Sequence, residues 1–382
     1  MGTTLFFVIA LVETATIGGV FLLYPRFARR GLLFGVYVGE QTSNGAEARA
    51  ITTSWYRGMV AWLVVGLALE TALGMVAPKP ALIGFFPLVL VAGFAALYIR
   101  AYRQAQQFAV PTTGAAVAFA RSVPEPSLAL PIAALVAGLI GGVISIVYSA
   151  AYFSLLPDRI PTHFGISGAP DAWHAKSLST VMITAVMTLV VGAGLGGIAI
   201  LTARAKRAVR YSSTVPGGAN TRAVESETEI SLRAQLRFRR ALTRLLSTIA
   251  LLVTLAMTWM NIAIVRVGLG RARGLPWPVM ALMLVVVVLG LGGSLYIGLR
   301  YGQGGSRLER AAAAAPLTNG LADNRCWVLG AFYVNRDDPS FLVEDRFGLG
   351  YTLNFGNRKA VVAFAGFLAA ILGLAVAAIV FI

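Results

Sequence analysis

Charge is scarce in this chain. Of 382 residues, 13% are Asp, Glu, Lys or Arg, while 57% are hydrophobic. A soluble protein carries about 25% charged residues, so a fully water-exposed surface is excluded. Cysteine is scarcer still: Cys326 stands alone, which rules out an intramolecular disulfide. Histidine occurs only at His163 and His174. The sequence has no glycine loop for nucleotide phosphates, no nucleophile elbow and no zinc-protease helix. It also lacks the Asp-x-Asp-x-Asp-Gly pattern of a calcium loop. An enzyme reading therefore has no local signature. Without an ATP-binding unit, any transport would be secondary or channel-like, and no cofactor is implied.

Strict alternation is missing as well, which argues against a transmembrane barrel. What the chain does have is apolar runs near or above the roughly 20 residues that span a bilayer. Eight spans are expected, at 4–23, 58–76, 82–99, 130–151, 178–201, 245–265, 276–298 and 360–381. Each must be helical, because hydrocarbon offers no partner for the backbone. The expected fold is an all-α, polytopic integral membrane helical bundle in contact with the lipid bilayer. The first run lacks a basic leader, and Arg26, Arg29 and Arg30 follow it like a stop-transfer signal. It is expected to be a span, not a cleaved signal peptide.

The formal net charge is +16. Lys and Arg concentrate on the cytoplasmic side of membrane proteins, so this excess needs no nucleic-acid partner. Segments 24–57, 100–129, 202–244 and 299–359 hold 5, 3, 10 and 8 of the 32 basic residues, and the intervening loops hold the other 6. That bias places both termini outside and the four basic segments inside. The expected location is the cytoplasmic (inner) membrane of a bacterium, with multiple passes.

The chain divides by these spans. Residues 1–129 form an N-terminal membrane region of three spans. Residues 130–201 form a helical hairpin with an outer loop at 155–176, and 202–244 form a basic inner linker and amphipathic helix. A second helical hairpin at 245–298 leads to an aromatic inner segment at 299–359, and 360–382 is the final span. Within the inner parts, 24–57 is partly apolar and is expected to lie along the membrane surface. Residues 211–229 read as a flexible linker. An amphipathic helix from Glu225 to Arg244 runs into the sixth span, acidic at its start and basic at its end. It reads as a snorkelling helix entrance, with a docking place for a cytoplasmic regulator or for anionic lipid as the alternative. The stretch 325–357, with Trp327, Phe332, Tyr333, Tyr351 and Phe355, reads as an interfacial element. Gly138 with Gly142, Gly192 with Gly196, and Gly290 with Gly293 are expected to let helices approach closely inside the bundle.

Two places carry candidate chemistry. The outer loop "LPDRIPTHFGISGAPDAWHAKS" contains both histidines, and its three prolines build turns and end helix. Its candidate contact residues are Pro161, His163, Phe164, Asp171 and Trp173, which would face an external peptide or small-molecule ligand; the alternative is a structural re-entrant turn with His163 bonded to loop backbone. His163, Asp171 and His174 also have metal-ligand chemistry, but their spacing fits no zinc module. The second place is within the membrane. Glu13 lies mid-span in the first helix and Glu70 inside the second. A carboxyl group in a span is costly, and it marks a proton or cation path or a hydrogen-bonded structural acid.

Pro157, Ile160, Pro161, His163, Phe164, Gly168 and Asp171, followed by Trp173 and Lys176, resemble a known motif. It is the Pro-x-x-Ile-Pro-x-His-(Phe/Trp)-x-x-x-Gly-x-x-Asp signature of the bacterial family that includes SdpI-type toxin-immunity membrane proteins. The stretch "WVLGAFYVNRDDPSFLVEDRFGLGYTLNF" is similar to a second, uncharacterised domain often found in such proteins. "LLFGVYVGE" also looks like the family's inner loop. The resemblance implies a membrane protein that protects against a secreted peptide toxin and holds a regulator at the membrane. This chain is longer than the compact SdpI type, with extra N-terminal spans and the appended aromatic segment. Three readings follow. The leading one is a non-enzymatic protein that binds or senses an external ligand and signals inside. The others are a secondary transporter or channel using Glu13 and Glu70, and a membrane enzyme.

Overall fold

The computed structural model describes residues 2–381 apart from 30, 77–79, 111–116, 119–125, 166, 206–209, 212–220, 312–322 and 347–349. Its helices in chain order are α1 (Gly2–Phe27), the short α2 (Glu40–Ser43), α3 (Ala46–Val76), α4 (Pro80–Gln106), α5 (Ala129–Tyr152), α6 (Leu178–Arg204), α7 (Thr221–Gly268), α8 (Trp277–Tyr301), the short α9 (Ser306–Ala311) and α10 (Arg358–Phe381). Seven of the eight expected spans fall inside one long helix each, and the remaining one, 276–298, begins at Pro276, the N-cap of α8. Six helical segments among the described residues are long and apolar enough to cross a membrane. They are Ala46–Val76, Phe86–Gln106, Ala129–Leu155, Leu178–Arg204, Leu232–Gly268 and Trp277–Leu308. The protein is an all-α polytopic membrane protein.

The helices are built for lipid. On α5, Val136, Ile140, Val143 and Val147 are exposed, while Gly138, Gly142, Ser145 and Ser149 are buried. Large apolar groups therefore face outward and small residues face the neighbouring helices, which brings backbones close. A Cβ on Gly138 would lie 2.4 Å from the Gly192 carbonyl carbon, and one on Gly196 would lie 2.5 Å from the Leu135 Cα. The expected role of these glycines in bundle packing holds. Gly293 likewise meets Leu245, whereas Gly290 has only a loose contact at 3.9 Å.

Helix packing forms two groups. In one, α1, α3 and α4 pack together. In the other, α5, α6 and α7 form the tightest unit, with α8 against α7 and α10 against α6. Short antiparallel ribbons connect and cap these groups: β1 (Leu32–Leu33) with β2 (Val36–Tyr37), β3 (Val117–Ala118) with β6 (Arg210–Tyr211), β4 (Arg159–Phe164) with β5 (Pro170–Ala175), β7 (Trp327–Val328) with β8 (Phe332–Tyr333), and β9 (Leu342–Glu344) with β10 (Tyr351–Leu353).

The basic segments meet in one cap. Residues 24–57 do not lie flat along a membrane surface. Leu33, Phe34, Val36 and Val38 are buried in a core with Tyr24, Trp55, Tyr98 and Tyr102. Gly35 has φ +77°, and a Cβ there would lie 2.6 Å from the Gly330 carbonyl oxygen, so two backbones touch at that point. Only glycine combines that φ with that approach at little cost. Arg29 donates to Glu344 Oε2 at 3.1 Å, with both side chains 3% exposed. Arg346 donates to the Gly35 carbonyl at 2.9 Å and to Asn324 Oδ1 at 2.8 Å, and its guanidinium lies over the Trp327 ring. Burial pushes the Arg346 guanidinium down to about 9. Gln303, just beyond α8, bonds the backbone of Asp345 and Gly350. The segment 325–357 is thus a structural cap joining both helix groups: Trp327 and Tyr333 are buried within it, and Phe332 and Phe355 remain exposed.

The linker read at 211–229 is corrected in part. From Thr221 the chain is already helical, and 212–220 lie outside the described residues. The amphipathic helix and the sixth span are one 48-residue helix. At about 1.5 Å per residue it is about 72 Å long, more than twice the hydrocarbon thickness of about 30 Å.

Candidate functional site

The polar loop between α5 and α6 folds as a β-hairpin. Leu156 and Ile160 are buried with Val181 and Val265, which seats the hairpin on α6 and α7. The ladder runs from Arg159 opposite Ala175 to Phe164 opposite Pro170, with irregularities on both sides of His163. Pro161 lies opposite Trp173 and has no N–H to give the ladder. Arg159 fills the gap, its Nη2 donating to the Trp173 carbonyl at 2.7 Å. At the tip, the Gly165 N–H donates to the Ala169 carbonyl, and Gly168 has φ +77°. The Leu275 N–H donates to the Gly168 carbonyl at 2.8 Å, tying the tip to the loop between α7 and α8. At the base, Lys176 Nζ donates to the Leu156 carbonyl, and Ser177 caps α6 by accepting from the Thr180 N–H.

This geometry sorts the candidate residues. Pro161 is buried and belongs to the seat, and Phe164 is half-buried. His163 and Asp171 face solvent and bond each other through Nδ1 and Oδ1, with side chains 71% and 52% exposed. His174 is also exposed and shares a hydrogen bond with the Thr162 hydroxyl at 2.6 Å. The two imidazoles sit at different levels of the ladder, one opposite Ala172 and the other opposite Ile160. Among the described residues, no three His, Cys, Asp or Glu side chains converge as a metal site. Trp173 is 38% exposed on the outer strand. The hairpin therefore presents an imidazole–carboxylate pair and an indole on a rigid, doubly anchored ribbon, which suits recognition because little freedom is left to lose on binding.

Beneath the hairpin lies a polar chain that the sequence reading missed. Ser149 on α5 donates to Asn261 Oδ1 on α7 at 3.2 Å, and Asn261 Nδ2 donates to Thr184 Oγ1 on α6 at 2.8 Å. A cavity of about 30 Å³ sits beside it, lined by Ile160, Pro161, Thr162, Thr180, Thr184 and Asn261. That volume holds about one water. The signal in the sequence was a lone amide, Asn261, in an otherwise apolar run. Glu13 and Glu70 lie elsewhere, in the α1–α3–α4 group. Glu13 is exposed on α1, while Glu70 on α3 is fully buried.

Residues 140–188 match a domain of unknown function (DUF1648), and residues 336–361 match a family of unknown function (DUF5808). No curated protein and no solved structure matches the chain. The first match spans the end of α5, the whole hairpin and the start of α6. The second spans the end of the cap and the first turn of α10.

Proposed function

We propose that this is a non-enzymatic membrane receptor of the SdpI-like type. It binds an extracytoplasmic peptide or small molecule at the β4–β5 hairpin and carries the event to the basic inner face. One observation carries the reading: α7 is a single helix that meets the hairpin at one end and the cap at the other. At its outer end, Gly268 packs against Leu156, Ile160 and Pro161. At its inner end, Gly305 packs on Ala234 and Gln235, and Arg239 donates to the Ala203 carbonyl at the end of α6. A shift of the hairpin on its seat is thereby mechanically linked to the cap and to segment 202–244, where a cytoplasmic regulator would dock. The signature residues Pro157, Ile160, Pro161, His163 and Asp171 support the family resemblance, and toxin immunity is the member function that fits an outward-facing recognition ribbon.

The test compares His163→Ala, Asp171→Ala and Trp173→Ala with wild type for survival of expressing cells under envelope-active peptides. Thermal unfolding of the purified proteins is measured in parallel. The expected result is lost protection with unfolding temperatures near wild type, because the three side chains are exposed. Unchanged protection by all three folded variants would end the reading. So would a destabilised His163→Ala protein whose folded fraction is fully active.

A further inference from the structure

Glu70 is fully buried in the α1–α3–α4 group, and neither carboxylate oxygen has a hydrogen-bond partner. The Thr14 hydroxyl on α1, in a residue only 1% exposed, is the hydrogen-bonding group that faces it. Glu13, the neighbour of Thr14 in sequence, lies on the exposed, lipid-facing side of α1 and outside this buried pair. No Lys, Arg or His from the described spans of α1, α3 or α4 faces the pair. Arg26 and Arg57 sit towards the inner ends of their helices, as do Arg100 and Arg103.

An isolated buried carboxylate is far too costly to keep, so such a group neutralises instead. A metal cation is a poor alternative. Cation sites inside membranes use backbone carbonyls freed by broken helices, and α3 runs unbroken from Ala46 to Val76. One carboxyl group and one hydroxyl supply too few oxygens for a cation, but they suffice to hold a proton.

We infer that Glu70 and Thr14 form a proton-binding site. Glu70 holds the proton while α1, α3 and α4 are packed, with the Thr14 hydroxyl beside it. This site does not depend on the hairpin, and its failure would leave the receptor reading untouched.

The test is infrared spectroscopy of the full chain in lipid nanodiscs, with the proton as the only ligand. Wild type should show a protonated-carboxyl band that persists from about pH 5 to about pH 8, in the manner of a desolvated acid. Glu70→Gln should lose the band. Glu13→Gln should keep it, because Glu13 lies outside the buried pair. A Gln side chain matches the shape of a protonated Glu, so Glu70→Gln should fold. If it does not, the wild-type band alone decides. A wild-type protein without a persistent band overturns the site, as does a band that survives in Glu70→Gln. A band that disappears on adding sodium overturns it in favour of a cation site.

Discussion

At the scale of single residues, the cap depends on charges that water does not reach. Arg29 and Glu344 lie 315 positions apart and meet with 3% exposure each. A buried ion pair adds little stability overall, but losing one partner strands the other. Glu344→Gln is therefore expected to destabilise the protein by about 3–5 kcal/mol, read by chemical denaturation in detergent. Arg29→Met with Glu344→Met should recover most of that loss. If the double variant were as unstable as the single one, the pair would not be the source. Sequence could not have found this contact, because hydropathy and spacing report only on near neighbours. Both residues read as ordinary members of basic or aromatic loops. His163 and Asp171 were legible because they sit within one short turn of chain. Asn261 was visible but passed over, since a lone amide in a span shows its meaning only once Ser149 and Thr184 appear on neighbouring helices.

At the scale of elements, the helices were legible almost throughout. Bilayer thickness sets their length, and hydrocarbon forces them to be helical. The ribbons were not. β4 holds two residues of each burial kind and a proline, so period-two alternation is broken exactly where the hairpin is seated, at Ile160 and Pro161. The surface reading of 24–57 failed for a related reason: its apolar residues are covered by the cap, which is encoded some three hundred residues later. Element packing makes a sharp prediction about glycine. Gly138 and Gly192 meet backbone to backbone, while Gly197 and Gly366 have open space around them. Gly138→Ala should lower stability by about 1–3 kcal/mol through overpacking. Gly197→Ala and Gly366→Ala should be neutral or slightly stabilising, because alanine favours helix over glycine. Thermal unfolding of the three variants checks this. Equal losses in all three would mean that the α5–α6 seam is not where the model of close approach puts it.

At the scale of the whole molecule, the fold fixes which segments share a side, and the charge bias sets the expectation of which side that is. Inner segments contact one another repeatedly: β3 pairs with β6, Arg29 with Glu344, Arg239 with the end of α6, and Gln303 with Gly350. At the other end, Gly168 bonds Leu275. These contacts require an even alternation of spans. From the basic bias we expect the cap in the cytoplasm and the hairpin outside. In a Cys326→Ser background, single cysteines at the exposed positions Ser167 and Asp337 separate the two faces. An impermeant maleimide should label Ser167→Cys in whole cells and reach Asp337→Cys only after the membrane is opened. The reverse pattern would place the hairpin inside, where no external ligand could reach it, and the receptor reading would fall with the orientation. Labelling of both positions in whole cells would mean that the chain inserts in two orientations, which the strength of the charge bias argues against.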